Sequence, residues 1–139
     1  MLSPEDLVAA EWVAKAEADL TNAVHTLKLG PACPTDTVCF HAQQCAEKYL
    51  KAYLVWKSVP FRKTHELEEL VGLMPRDLRP GLSGEQLALL TEYAVGPRYP
   101  GWREVPLSEA RHAVAAARRL RKHVRSLLPK QVLPRRKHP

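Results

Sequence analysis

Residues 36–57 read Asp36-Thr37-Val38-Cys39-Phe40-His41-Ala42-Gln43-Gln44-Cys45-Ala46-Glu47-Lys48-Tyr49-Leu50-Lys51-Ala52-Tyr53-Leu54-Val55-Trp56-Lys57, and their spacing decides the fold. Val38, Ala42, Cys45, Tyr49, Ala52 and Trp56 step by four and three in alternation, which puts them on one face of an α-helix. Cys39, Ala46, Leu50, Tyr53 and Leu54 widen that stripe, as expected of a central helix in a bundle. Gln43, Gln44, Glu47, Lys48 and Lys51 fall opposite it as a polar flank, and Glu47 to Lys51 is a favourable i,i+4 pair. Phe40 shares the Gln43–Glu47 edge. A large aromatic there reads either as a partner surface or as a ring packed under a neighbouring loop.

The same period extends in both directions. Upstream, Val13, Ala16, Leu20, Ala23 and Leu27 form one stripe of a helix over 3–29, opened by Ser3, Pro4 and Asp6 and closed by Gly30-Pro31. Downstream, a short helix is predicted from Thr64 to Met74 and another from Ser83, which forms a capping box with Gln86, to Ala94. Gly96-Pro97-Arg98-Tyr99-Pro100-Gly101 is a stiff break. A last long helix over 108–128 carries Ala113, Ala117, Leu120, Val124 and Leu127 inward and ends at Pro129. The sum is an all-α bundle of three long and two short helices over 1–129, followed by a basic tail over 130–139 that reads as disordered.

Composition fits one domain. The chain has 139 residues, 45% hydrophobic and 26% charged, so a single core is expected. Its N-terminus is acidic and lacks an apolar core, and no apolar run approaches a membrane span, so an intracellular, cytoplasmic protein is the expectation. Three cysteines, Cys33, Cys39 and Cys45, give neither a disulfide framework nor a zinc site and read as ordinary thiols. Residues 1–110 hold 11 Lys/Arg against 15 Asp/Glu, whereas residues 111–139 hold 10 Lys/Arg and no acid. That asymmetry points to an anionic partner such as RNA, DNA or an acidic protein, or else to a solvated helix face.

Catalytic signatures are sparse. There is no Gly-rich phosphate loop, no H-E-x-x-H and no nucleophile elbow, and no two histidines sit four apart on one helix. No metal site or cofactor is expected.

The stretch Cys39 to Ala52 resembles the signature helix of HEPN domains. Trp12 to Leu20, Thr64 to Leu70 and Arg98-Tyr99-Pro100-Gly101 resemble other elements of that family in the expected order. The resemblance spans about residues 8–128. It implies an up-and-down helical bundle that forms homodimers or higher oligomers. It further implies a non-catalytic subunit that binds a nucleotide or a minimal nucleotidyltransferase partner, often as a toxin–antitoxin-like pair. Phe40, Gln43, Gln44 and Glu47 are then the candidate partner interface, and Arg98, Tyr99, His65 and Lys48 the candidate nucleotide-binding residues. Arg98 offers a planar fork for phosphate between two prolines that restrict its backbone, and Tyr99 a ring for a base. Against this stand two plainer readings: Arg98 paired with a carboxylate and Tyr99 capping the core.

Other members of the family are metal-independent ribonucleases, with an Arg for phosphate charge and a His for proton transfer. Arg118 and His123 match the bare Arg-x4-His spacing and are the alternative catalytic pair. The toxin form adds a Tyr two residues past the His, where this chain has Arg125, and a polar residue after the Arg, where it has Arg119. Arg118 and His123 equally fit the basic outer face of the last helix, and a basic RNA-binding module is a third reading.

Overall fold

A computed structural model describes residues 1–134 of the chain. Five α-helices follow in order: α1 Pro4–Leu27, α2 Thr35–Trp56, α3 Leu67–Gly72, α4 Gly84–Glu92 and α5 Leu107–Leu127. Single 3₁₀ turns occupy Gly30–Ala32, Arg76–Leu78, Gly96–Arg98 and Lys130–Val132, and no strand occurs among the described residues.

The helix starts follow local chemistry. Ser3 accepts from the Asp6 amide at 3.0 Å while the Asp6 carboxylate accepts from the Ser3 amide at 3.1 Å. Ser83 and Gln86 close the same reciprocal cap at α4. Each cap is worth about 1 kcal/mol. α3 begins three residues later than its periodicity predicts. Thr64 Oγ1 instead accepts the Glu66 amide, which holds residues 64–66 as an extended connector.

α2 is the hub. α1 packs along it antiparallel, since Trp12 meets Lys51 and Asp19 meets His41. α5 runs parallel to it, since Val105 at its start meets Thr35 and Arg125 near its end meets Tyr49. The α1–α2 seam is built from small residues: Ala9, Ala16 and Ala23 are fully buried, as are Ala42 and Ala46. Small side chains let two helices approach closely over their full length. Of the predicted core stripe of α2, Val38, Ala42, Cys45, Tyr49 and Ala52 are 0% exposed and Trp56 is half-buried against the core. Burying each of the larger ones stabilises the fold by about 1.5–3 kcal/mol.

The packed chain extends past Pro129. Lys130–Val132 turn back onto α1 and bury Val132, so the tail expected from residue 130 is anchored at least that far. Arg135 to Pro139, the rest of that predicted tail, lie outside the described residues. No helix among the described residues is long and apolar enough to cross a membrane.

Candidate functional site

The flank of α2 that sequence periodicity assigns to solvent is covered. Gln43 is 0% exposed, Glu47 3%, Lys51 7% and Gln44 9%. Residues 61–65 lie across it: Gln43 Nε2 donates to the His65 carbonyl at 3.3 Å, and the His65 ring Nδ1 sits 2.8 Å from Glu47 Oε1. From the other side Trp12 of α1 closes over Lys51, whose ammonium lies 5.6 Å from the Trp12 ring centre and 5.7 Å from that of Phe61. Gln43, Gln44 and Glu47 are therefore interior residues. The outward partner interface expected of them is corrected, because a loop and an aromatic from α1 occupy that face.

The covered flank satisfies its own polarity. Glu47 Oε1 accepts from Gln43 Nε2 at 2.9 Å, its Oε2 accepts from Lys51 Nζ at 3.0 Å, and Gln44 donates to Gln43 Oε1 at 2.6 Å. Burial by itself raises the Glu47 pKa. The hydrogen bonds from Gln43, His65 and Lys51 outweigh that and hold the carboxyl below its ordinary value.

Lys48 points elsewhere. It donates to Asp19 Oδ2 at 2.6 Å, and His41 Nδ1 meets Asp19 Oδ1 at 2.8 Å, so Lys48 ties α2 to α1. A second clamp ties α1 to α5. Arg121 holds Glu17 with two bonds of 2.6 and 3.0 Å, Tyr49 also donates to Glu17, and Arg125 donates to the Tyr49 hydroxyl at 3.2 Å. Burial works against the Glu17 carboxylate, but Arg121 and Tyr49 hold its pKa below the ordinary value.

Arg98 and Tyr99 leave the 3₁₀ turn that follows α4, at Gly96–Arg98. Gly96 is required there: a Cβ would stand 2.2 Å from the Trp102 indole. Arg98 stacks on Phe40 of α2, with its guanidinium carbon 5.2 Å from the ring centre. It is exposed and has no carboxylate partner among the described residues. Phe40 is thus half-covered by this guanidinium. Tyr99 is 63% exposed and does not cap the core. It lines a separate cleft of about 570 Å³ between residues 31–36 and 97–107, in which Arg98, His65 and Lys48 take no part. The structure therefore joins His65 to Glu47 and Arg98 to Phe40 along α2. It does not gather the four candidate nucleotide-binding residues into one pocket.

Arg118 and His123 also part company. They stand five residues apart on α5, about 140° around the helix. His123 is half-buried with Nε2 2.5 Å from the Leu78 carbonyl oxygen, not on an open basic face. Arg118 is exposed and lines a cleft of about 210 Å³ with Thr21 and His25 of α1. Burial pushes the thiols of Cys39 and Cys45 up to about 12, which leaves both inert as nucleophiles. Among the described residues no three His, Cys, Asp or Glu side chains are grouped to hold a metal ion.

The bundle, with its central α2 and its capped α1 and α4, defines a class, and comparison with known proteins agrees with it. A family model described as "HEPN domain" matches residues 9–127. The chain belongs to the HEPN domain family. Among solved structures it is similar to TT1696 from Thermus thermophilus, at 25% identity and a TM-score of 0.70 over 86% of this chain and 98% of that one. It is also similar to ST0689, an archaeal HEPN homologue, at 23% identity and a TM-score of 0.66 over 86% of this chain and 96% of that one. No curated protein matches it.

Proposed function

We propose that this HEPN chain is a non-catalytic subunit that holds a nucleotide by its phosphates at Arg98 for a nucleotidyltransferase partner. The observation that carries the reading is the state of Arg98. Its guanidinium is set on the Phe40 ring, exposed, and free of any carboxylate partner among the described residues. A planar cation positioned by an aromatic face loses little freedom on binding and presents a fork suited to phosphate. The Phe40 ring is held in turn by α2, so the site rests on the most buried helix of the bundle. The nucleotidyltransferase as partner follows from the family resemblance of this signature helix.

The ribonuclease reading draws less support. Its His, at position 123, meets a main-chain carbonyl, and its Arg, at position 118, faces α1.

Calorimetry with ATP tests the proposal. The parent chain binds. Arg98→Lys keeps the charge but loses the fork and binds roughly tenfold more weakly, a difference of about 1.4 kcal/mol. Arg98→Ala binds more weakly still. Unchanged affinity in both variants removes Arg98 from the site. RNA cleavage that is lost in a folded His123→Ala variant would instead establish the nuclease.

A further inference from the structure

A separate cavity of about 460 Å³ lies at the C-terminal end of α2, about 20 Å along the helix from Phe40. Tyr53 and Lys57, one helical turn apart and so on one face, form its first wall with Val59. Leu73, Met74 and Pro75, which follow α3, form the second. Ser58 shapes the rim. Its backbone is left-handed, with φ 56°, and Val59 donates back to the Leu54 carbonyl at 2.8 Å, so the chain folds over the helix end.

One wall group has no use in the fold. Tyr53 is 1% exposed, and its hydroxyl has no hydrogen-bond partner among the described residues. Such a group destabilises the chain, and phenylalanine would fill the space without that penalty. Burial, and after it the charge of Asp77, raises the Tyr53 pKa, so the hydroxyl keeps its proton and stands ready as a donor. The influence of Asp77 also places the hydroxyl end of the ring towards the Arg76–Leu78 turn, next to Pro75 in the second wall.

The surroundings are positive. Lys57 is exposed, with its ammonium 4.7 Å from the Trp56 ring centre. Arg79 donates only to the Met74 and Gly72 carbonyls, and Arg76 is exposed. None of the three meets a carboxylate among the described residues. Asp77 and the carbonyl end of α2 oppose them with about one and a half negative charges, which leaves the balance positive. Two donors in an otherwise apolar lining suit an anion with two oxygens and an apolar body. A phosphate would leave oxygens against Leu73, Met74 and Pro75 without partners.

We propose that this cavity binds a small apolar monocarboxylate. Its carboxylate accepts from the Tyr53 hydroxyl and the Lys57 ammonium, and its body lies on Leu73, Met74 and Pro75.

The chain has two methionines, Met1 and Met74, so methyl-labelled methionine gives one nuclear magnetic resonance signal from the cavity and one from outside it. The full chain is titrated with octanoate and, separately, with phenylacetate. The Met74 signal shifts and saturates with a Kd of about 1 mM or tighter, while Met1 stays still. Either compound supports the proposal, and the tighter one tells whether the body is alkyl or aromatic. Octanol, which lacks the charge, and inorganic phosphate, which lacks the body, bind at least roughly tenfold more weakly. Tyr53→Phe keeps the fold, as its urea unfolding checks, and loses roughly tenfold in affinity. Lys57→Gln loses roughly threefold or more. The proposal is overturned if neither compound moves Met74 by about 10 mM, or if Met1 moves in step with it. It is equally overturned if octanol or phosphate binds as well as octanoate. Unchanged affinity in Tyr53→Phe also overturns it, and assigns the hydroxyl to water alone. Arg98→Ala leaves the titration as it is, so this proposal and the nucleotide reading fail separately.

Discussion

Replacing Lys51 with Met isolates the electrostatics of the covered flank of α2. Lys51 is 7% exposed, donates to Glu47 at 3.0 Å, and runs beneath the rings of Trp12 and Phe61. Met is close to the lysine stem in shape and packs well against aromatics, so the stacking is kept and the loss is that of a charge. Deleting one partner of a buried pair costs about 3–5 kcal/mol, because the other charge is left uncompensated. Glu47 keeps the hydrogen bonds from Gln43 and His65. A loss at or just below the lower end of that range, about 2–3 kcal/mol, is therefore expected. For a chain of this size the midpoint of thermal unfolding should fall by roughly 6–12 °C. Urea unfolding followed by tryptophan fluorescence reads the loss directly, with an unchanged slope if the fold is retained. Adding Glu47→Gln removes the stranded charge and should recover at least half of it. A loss under about 0.5 kcal/mol in the single variant refutes the account of Glu47 as an ion held by Lys51. So does a double variant no more stable than the single.

Tyr53 is 1% exposed and its hydroxyl has no hydrogen-bond partner among the described residues, so Tyr53→Phe should stabilise the chain by about 1 kcal/mol. Destabilisation by that amount in urea unfolding would mean the hydroxyl is bonded after all. Glu17 and Glu47 are both held below the ordinary carboxyl range, so the unfolded chain binds more protons than the folded one in acid. Their contribution is complete above the unfolded carboxyl pKa and is lost as pH falls through the depressed folded values. Glu17→Gln and Glu47→Gln should each flatten the acid limb of stability against pH. An acid limb identical to the parent's in both variants contradicts those depressed values.

The bundle was legible because its core repeats locally. Val38, Ala42, Cys45, Tyr49 and Ala52 announce a buried face by spacing alone, and Ser3 with Asp6 and Ser83 with Gln86 announce their caps within four residues. The clamps between helices were not legible. Glu17 and Arg121 are 104 residues apart, and nothing near either one names the other. Likewise the Arg118 to His123 spacing is readable, but the Leu78 carbonyl that His123 meets is not.

The misjudged flank of α2 is the more instructive case. Helical periodicity says which face a residue occupies and not what covers that face. Gln43, Glu47 and Lys51 therefore read as solvated, whereas Trp12 and residues 61–65 enclose them. A signal was nevertheless present. These three stand at i, i+4 and i+8, and the structure closes them into a ladder: Gln43 and Lys51 both donate to Glu47. A polar face whose donors and acceptors are matched along one helix can be buried without an outside partner, because the desolvation cost is met by bonds the helix itself makes. Such a flank is built to be covered. Arg98 and Tyr99, by contrast, lie off α2 on the turn after α4, where both are exposed.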